Sequence, residues 1–245
     1  MGKSKDLATL TNGGNIAGNF TVDTDTLHID STNDRIGFGT TSPSSFSGYN
    51  NISVKGGSSG SNFDFQNSSG TRVASIVSAP STQLIVETLE DADVRIKTNN
   101  VERLIVDGSG RVTTPNQPSF AVTKNNGHVT AGNVYIFNST EYSVGSMYNT
   151  SNGRGTAPVA GRYFVSTWLM SEANATYNNK SYQIRKNGSI VKSVYSANGG
   201  NNHHQWSWAG LINLSANDYI DVYTDNMTLY GTSAYYSQFC MHLLS

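Results

Sequence analysis

Apolar residues that alternate with polar ones recur along most of the chain, and this pattern predicts β-strands. Leu27 and Ile29 alternate with polar neighbours, and Ile36 and Phe38 resume the alternation after a polar turn. A half-buried strand has one apolar and one polar face, which gives this period of two. The first such stretch therefore predicts a β-hairpin of about 15 residues.

A unit of the same form returns further along the chain. Leu104-Ile-Val-Asp107 is followed by a Gly-rich turn and by Arg111-Val112, just as Leu27-His-Ile-Asp30 is followed by a turn and by Arg35-Ile36. Both units read apolar-x-apolar-Asp, turn, Arg-apolar. A lone two-stranded hairpin is only marginally stable in water. The repeated units therefore need each other, or further chains, to bury their apolar faces.

The region between the two hairpin units has short strand signals and few large apolar residues. About 100 residues would normally bury about two thirds of their surface, and this stretch has too little apolar mass to do so alone. We therefore predict oligomerisation, most simply three chains wrapped about one axis. The strand signals are Ile52–Val54, Phe63–Phe65, Val73–Val77, Gln83–Val86 and Val94–Ile96.

Two features mark the ends of this region of short strands. Pro115 and Pro118 interrupt the strand pattern, so we place a domain boundary after residue 117. Residues 1–19 are polar and rich in Gly and Asn, and their few apolar positions include Leu7, Leu10 and Ile16. We interpret them as an N-terminal attachment segment that becomes ordered against a partner.

Residues 118–245 carry denser apolar patterns and predict one compact domain. Tyr163, Val165, Thr167 and Leu169 alternate as one face of a strand. Lys186-Asn-Gly188 lies between two apolar runs and is a strong signal for a two-residue hairpin turn. Short strands joined by Asn/Gly turns are typical of a β-sandwich or jelly roll.

Composition narrows the class of protein. Charged residues make up 13% of the chain, the formal net charge is −1, and aromatic residues reach 10%. Helix-favouring runs are missing, so we expect almost no α-helix. No basic cluster exists for phosphate groups, which argues against a nucleic-acid partner. The single cysteine, Cys240, leaves no internal disulfide framework, and no apolar run is long enough for membrane insertion. We predict neither a cofactor nor a metal site.

Few residues suggest catalysis. Asp218 and Asp221 could form the carboxylate pair of a glycosidase, but capping of a turn by Asp218 is the simpler interpretation. The adjacent His203 and His204 would point to opposite faces of a strand and cannot easily chelate one metal ion, although one histidine per chain could meet on a trimer axis. We therefore predict that the protein is not an enzyme.

Tyrosines in Asn/Ser/Gly-rich segments are the better candidates for a binding surface. Tyrosine with small polar residues is the chemistry of adaptable binding loops and also suits sugars, while the same residues would suit a trimer interface equally well. The candidates for receptor binding are Tyr177, Tyr195, Tyr230, Tyr235 and Tyr236. The candidates for the core or the trimer interface are Tyr163, Trp206, Trp208 and Phe239.

The hairpin units resemble repeats in the shafts of bacteriophage tail fibres and related virion fibres. In those repeats Leu-x-Val-Asp and a turn precede Arg-Val-Gly-Ile-Gly-Thr-Thr-Ser-Pro. Here Leu27-His-Ile-Asp30 and Arg35-Ile-Gly-Phe-Gly-Thr-Thr-Ser-Pro43 match nearly throughout. The second unit, Glu102–Val112, matches more loosely because it lacks the Gly-x-Gly-Thr end. The resemblance implies a slender trimeric shaft attached to a viral particle.

The C-terminal region resembles the globular heads of complement and tumour-necrosis-factor-like proteins. This resemblance implies a ten-stranded jelly roll that forms trimers. One departure is Asn217-Asp218 in place of the family's Gly-Asp. The matching elements are Ile136–Asn138, Tyr142, Gly145, Met147-Tyr148, Ala157-Pro158, Gly161, Tyr163, Val165, Lys186–Gly188, Leu214, Asp218, Ile220, Phe239 and Leu243-Leu244.

Together these features predict an all-β chain with an attachment segment at 1–19, a trimeric β-hairpin shaft at 20–117 and a jelly-roll head at 118–245. We expect a homotrimeric fibre of a bacterial virus, located on the virion, with its N-terminus bound to a baseplate, tail or capsid protein. The head would bind a glycan or protein of the host cell surface. Two alternatives stay open: an accessory fibre whose head only trimerises and caps the shaft, and a capsule depolymerase.

Overall fold

The computed structural model describes residues 20–22, 26–30, 32–45, 50–79, 83–173, 179–196 and 202–245. The chain divides into two compact units. One comprises Met1–Arg95 with Ile105–Val112, and the other comprises Ile96–Leu104 with Thr113–Ser245. We call residues 119–245 of the second unit the head.

β-structure dominates the described residues, as predicted, and the described helical structure is a single 3-10 turn at Ala234–Tyr236. None of the described segments is a helix long and apolar enough to cross a membrane. The strands are β1 Phe20–Val22, β2 Leu27–Asp30, β3 Arg35–Phe38, β4 Asn51–Val54, β5 Ser61–Gln66, β6 Arg72–Ala79, β7 Gln83–Thr88, β8 Val94–Thr98, β9 Val101–Val106, β10 Val112–Thr113, β11 Ser119–Thr123, β12 Asn133–Val134, β13 Ser139–Val144, β14 Tyr148–Asn149, β15 Arg154–Thr156, β16 Gly161–Met170, β17 Lys180–Lys186, β18 Ser189–Ser196, β19 Gln205–Leu214, β20 Tyr219–Thr224 and β21 Ser237–Leu243.

The strands before the head form three small sheets. One sheet has the order β1-β2-β3-β4, another β5-β6-β7, and a third β10-β9-β8. The first predicted hairpin is confirmed, because β2 pairs antiparallel with β3 and Ile29 lies opposite Ile36. The five strand signals between the hairpin units correspond to β4 through β8.

The Asp-turn-Arg pattern has the same physical role in both repeats. Asp30 accepts hydrogen bonds from the backbone amides of its own turn and pairs with Arg35 at 3.0 Å. Asp107 accepts from the amides of Ser109 and Arg111, and it pairs with the Arg111 side chain at 2.7 Å. Both aspartate pKa values are lowered, that of Asp30 chiefly by the Asn33 side chain and that of Asp107 chiefly by the Arg111 amide. In each repeat the aspartate closes the turn and the arginine holds the aspartate.

The head is a jelly roll of two facing sheets. The five-stranded sheet has the order β13-β11-β21-β16-β19, and the six-stranded sheet has the order β14-β15-β20-β17-β18 with β12 beside β20. The described part of the head thus holds eleven strands where ten were expected, and two of them, β12 and β14, are only two residues long. The all-β jelly-roll fold is confirmed.

Two turns show how the sequence directs this fold. β17 and β18 are joined by Asn187-Gly188, with φ of 51° and 81°. Two successive left-handed residues are the requirement of a type I′ turn, so the predicted hairpin is confirmed. Asn217, noted above as the departure from the Gly-Asp of the resembled family, also has a positive φ of 71°. Asparagine tolerates this conformation better than most residues do, so the departure from glycine is accommodated.

The hydrophobic core of the described residues lies in the head. Apart from Pro43, every buried apolar side chain among them is at position 120 or later. Tyr163, Val165 and Leu169 of β16 are fully buried, which confirms the predicted alternation. Phe239 is surrounded by aromatic rings, among them Phe120 at a centroid distance of 5.0 Å. Gly155 lies beside this cluster, where a β-carbon would come within 2.6 Å of the Phe120 ring.

The four tryptophan, tyrosine and phenylalanine candidates for core or interface positions lie inside the head. Tyr163 and Phe239 are fully buried and Trp206 is nearly so. Trp208 is partly buried and packs against the same core.

Candidate binding surfaces of the head

A group of histidine and tyrosine side chains meets at one end of the jelly roll. We call it the Tyr230 cluster, and it comprises His128, Glu172, His203, Tyr230 and Tyr236. The Tyr230 ring lies 4.9 Å from the His128 ring and 5.3 Å from the His203 ring. Tyr236 meets Tyr230 edge-on at 5.6 Å. His128 Nδ1 lies 2.8 Å from a carboxylate oxygen of Glu172.

Buried backbone contacts fix the position of this cluster. Leu229 is fully buried, and its backbone bridges to Val129 and to Ser171. Because of these bridges, the residues next to Val129, Ser171 and Leu229 in the chain lie close together. The Tyr230 amide donates to the Met170 carbonyl at 2.8 Å, and the Glu172 amide donates to the Thr228 carbonyl at 3.1 Å. The cluster therefore stands on strand ends that are themselves tied into the core.

The cluster combines partly exposed aromatic rings with groups that accept and donate hydrogen bonds. His203 is exposed, and its Nδ1 lies 2.8 Å from the Ser171 carbonyl oxygen. Tyr236 is 40% exposed. Ring surfaces beside imidazole and carboxylate groups suit a ligand with both C–H faces and hydroxyl groups. A saccharide has this character.

A second surface is the outward face of the five-stranded sheet. Phe164 of β16 lies opposite Leu211 of β19 and His242 of β21. Trp168 and Tyr142 lie on the same face. We call these five residues the outer sheet face. It is uncovered in the single chain, since Leu211 is 58% and Trp168 46% exposed.

The outer sheet face also holds the titratable groups of β21 and its neighbours. The Tyr142 hydroxyl contacts His242 Nε2. Burial lowers the pKa of His242 and raises the pKa of Tyr142 and of the Cys240 thiol. Each shift disfavours the charged form of the group, so these three side chains stay uncharged near neutral pH.

The other tyrosine candidates have separate positions. Tyr235, 85% exposed, lines a groove of about 180 Å³ together with Trp168 and Gln238. Tyr195 is an exposed residue of β18, where its hydroxyl donates to the Asn179 side chain. Tyr177 lies outside the described residues, as do the attachment candidates Leu7, Leu10 and Ile16. Of the five receptor candidates, Tyr230 and Tyr236 are therefore brought into direct contact.

The two carboxylates considered for glycoside hydrolysis are engaged in structural contacts. Asp221 is buried and receives two hydrogen bonds from Arg185, at 2.7 and 3.0 Å. Asp218 receives the Lys186 ammonium at 2.8 Å, which, with Asn187 and the Ser215 amide, lowers its pKa to about 2. A general acid needs a raised pKa, so this arrangement suits turn capping rather than proton donation. No group of three or more histidine, cysteine or acidic side chains among the described residues is placed to hold a metal ion.

Sequence reasoning identified Tyr230 and Tyr236 but missed their partners and the outer sheet face. His128 and Glu172 are far apart in the chain, and only the bridges to Leu229 bring them together. Phe164 and Trp168 alternate with the buried residues of β16. A strand with large apolar residues on both faces is the signal that could have revealed a second covered face.

Comparisons with known proteins address the head alone. The chain is similar in structure to the globular domain of zebrafish complement 1qA protein, with 15% identity, 53% of this chain and 98% of that chain covered, and a TM-score of 0.43. It is also similar to the Eiger TNF of S. frugiperda, with 11% identity, 53% of this chain and 93% of that chain covered, and a TM-score of 0.44. For murine APRIL the identity is 12%, the match covers 52% of this chain and 99% of that chain, and the TM-score is 0.41. No curated protein gives a significant match.

The family model described as the C1q domain matches residues 119–244, which is more than half of the chain. This range contains both sheets of the jelly roll, the Tyr230 cluster and the outer sheet face. The chain therefore belongs to the C1q domain family.

Proposed function

We propose that this chain is a homotrimeric fibre protein of a bacterial virus that binds the host cell surface through its C1q-like head. The N-terminal segment attaches it to a baseplate, tail or capsid protein of the particle. The shaft provides reach, and the head provides recognition. The function is binding without catalysis.

The observation that carries this proposal is the contrast between the two parts of the chain. Apart from Pro43, all buried apolar side chains among the described residues belong to the head, whereas the preceding strands form three- and four-stranded sheets with many apolar residues exposed. A sheet with an apolar face must bury that face against another element. A compact head that follows a shaft, where the shaft needs further copies to bury its apolar faces, is the architecture of a fibre.

Homotrimer formation is supported by the outer sheet face. Phe164, Trp168 and Leu211 form an apolar patch on an otherwise regular sheet. Contiguous exposed apolar patches of this kind mark interfaces between proteins. The family resemblance of the head supplies the expected number of three copies, and closed symmetry allows each copy to use the same patch.

A bacterial virus is supported by the hairpin repeat. The stretch Leu27–Pro43 resembles the repeat of virion fibre shafts, and its Asp-turn-Arg geometry is found again at Asp107 and Arg111. Because in both units the aspartate accepts from its own turn and pairs with the following arginine, the second unit supports the same origin despite its looser sequence.

Host binding is supported by the Tyr230 cluster. Three heads on one shaft would present three such clusters to a surface, and weak contacts then add up through avidity. The low charge of the chain limits unspecific attraction to charged surfaces. A surface glycan suits the exposed rings best, and a host surface protein is the other ligand class.

Purified particles and an antibody against the head provide the test. The chain should be found in the particles by mass spectrometry, and immunogold labelling should place the head on the outside. Fab fragments against the head should block adsorption, while Fab fragments against residues 83–112 should not. Particles that lack the chain would refute the proposal.

The second candidate is an accessory fibre whose head only trimerises and caps the shaft. The outer sheet face favours it, since that patch accounts for a trimer without any ligand. Under this candidate, saturating Fab fragments against the head leave adsorption unchanged.

A further inference from the structure

The strands of the N-terminal unit expose one continuous apolar face. On the sheet β5-β6-β7, Phe63 lies opposite Ile76, and Ile76 lies opposite Val86. Phe65 and Leu84 are on the same face, because side chains two positions apart point the same way. Leu84 is 75% and Phe63 60% exposed.

The neighbouring sheet extends this face. Ile29, Ile36 and Ile52 lie in one row across β2, β3 and β4. Ile52 and Val54 of β4 then line a groove of about 300 Å³ together with Phe63, Ile76 and Leu84. The two sheets therefore contribute to a single surface, which we call the shaft face and define by Ile52, Val54, Phe63, Phe65, Ile76, Leu84 and Val86.

The opposite face of the same strands is different in character. Asp64, Ser75 and Glu87 lie side by side on it. Ser75 is buried there and donates a hydrogen bond to Glu87 at 2.6 Å. The next row on that face, Asn62, Val77 and Ile85, mixes polar and apolar side chains. The opposite face is therefore mixed, while the first face consists of apolar side chains with Ser61, Ser78 and Thr88 between them.

We propose that the shaft face is an assembly surface, covered by the shaft faces of further copies of this chain. This inference rests on the proposed function, in which three copies come together, and it adds which surface of the shaft they bury. It makes the N-terminal unit an interface in its own right, in addition to the outer sheet face of the head.

Area and charge favour a copy of the same chain as the occupant. The seven side chains expose roughly 500 Å², which is at the upper end for a monomer and is most of what one partner contributes to an ordinary interface. The face carries no charged side chain, so identical faces meet without repulsion. A partner with a charged surface would find no side chain of opposite charge on the shaft face.

Photo-cross-linking of the full-length protein tests the proposal at two adjacent positions. Leu84→p-benzoylphenylalanine places the reactive group on the shaft face, and Ile85→p-benzoylphenylalanine places it on the opposite face of the same strand. Irradiation should give covalent dimers and trimers on a denaturing gel for position 84 and several-fold less for position 85. Cross-links at 84 to the same chain only, to a different protein only, or to no protein overturn the proposal, as does equal cross-linking at both positions.

Light scattering on the same samples separates this inference from the proposed function. A trimer that gives no interchain cross-link at position 84 overturns the shaft face alone. A monomer overturns the trimer as well. Hydrogen exchange provides a second readout, because Leu84→Ser should speed exchange in β6 of the assembled protein and Ile85→Ser should not.

Discussion

Trp168→Ser should weaken the association of the heads while leaving each head folded. Trp168 is on the outward face of β16, opposite Gln238 of β21. Its indole is 46% exposed in the single chain, so a partner can still cover much of it. Serine keeps the strand and removes the apolar surface, and no core contact of β16 is lost because Thr167 and Leu169 point inward.

The size of the effect follows from the exposed area. A tryptophan side chain presents up to about 250 Å², so about 100 Å² per chain is available for burial between copies. At about 25 cal/mol per Å² this amounts to about 2.5 kcal/mol per chain and about 7.5 kcal/mol per trimer. Because half-dissociation of a trimer scales with the square root of its dissociation constant, the midpoint concentration should rise by about five hundredfold.

Analytical ultracentrifugation over a dilution series measures this midpoint. Tyr195→Ser is the matched control, since Tyr195 is 56% exposed on β18 and lies outside the outer sheet face. The control should dissociate as the unchanged protein does. If Trp168→Ser also dissociates at the unchanged concentration, the outer sheet face is not the interface and the reasoning fails.

Three further predictions concern the core, the pH dependence and the ligand site. Phe239→Ala should lower the free energy of unfolding by about 3–5 kcal/mol in urea titrations at fixed protein concentration, since it empties the centre of the aromatic core; a loss below that of an exposed Tyr195→Ala would contradict the packing. Burial lowers the pKa of His242, so protonation costs more in the folded state; stability is highest above the unfolded pKa of about 6.5 and falls as the pH drops from there through the lower folded pKa. His242→Gln should flatten the dependence of Tm on pH below about 7, and an unchanged slope would exclude His242 as its cause. Tyr236→Ala should reduce binding of the trimer to host cells in flow cytometry without changing its mass, whereas binding equal to that of a variant at the exposed Ile190, Ile190→Ala, would remove the Tyr230 cluster from the site.

The strands and turns of this chain were largely predictable because each is directed locally. The type I′ turn at Asn187-Gly188 needs two residues that tolerate positive φ, and the sequence provides both. The alternation from Tyr163 to Leu169 marks a strand whose inner face is buried, and that face is fully buried in the structure. Aspartate before a tight turn and arginine after it likewise predicted both hairpins.

The candidate site was less predictable because it depends on contacts between distant segments. His128, Glu172 and Tyr230 meet only because the backbone of Leu229 bridges to two other segments. No local pattern specifies such a bridge. The tyrosines were identified through their Asn/Ser/Gly-rich surroundings, which indicate exposure but not which of them lie together.

Local patterns also predicted oligomerisation without showing which surfaces would form the interfaces. A period of two shows that a strand has an apolar face, yet it does not show whether that face is covered by the same chain or by another. The distinction depends on whether a second layer exists, and this is a property of the whole fold. In β16 both faces carry large apolar residues, so one faces the core and the other is free for the proposed partner. In β7 the apolar residue Leu84 is 75% exposed, so the strand pattern that elsewhere marks a core would serve the proposed interface there.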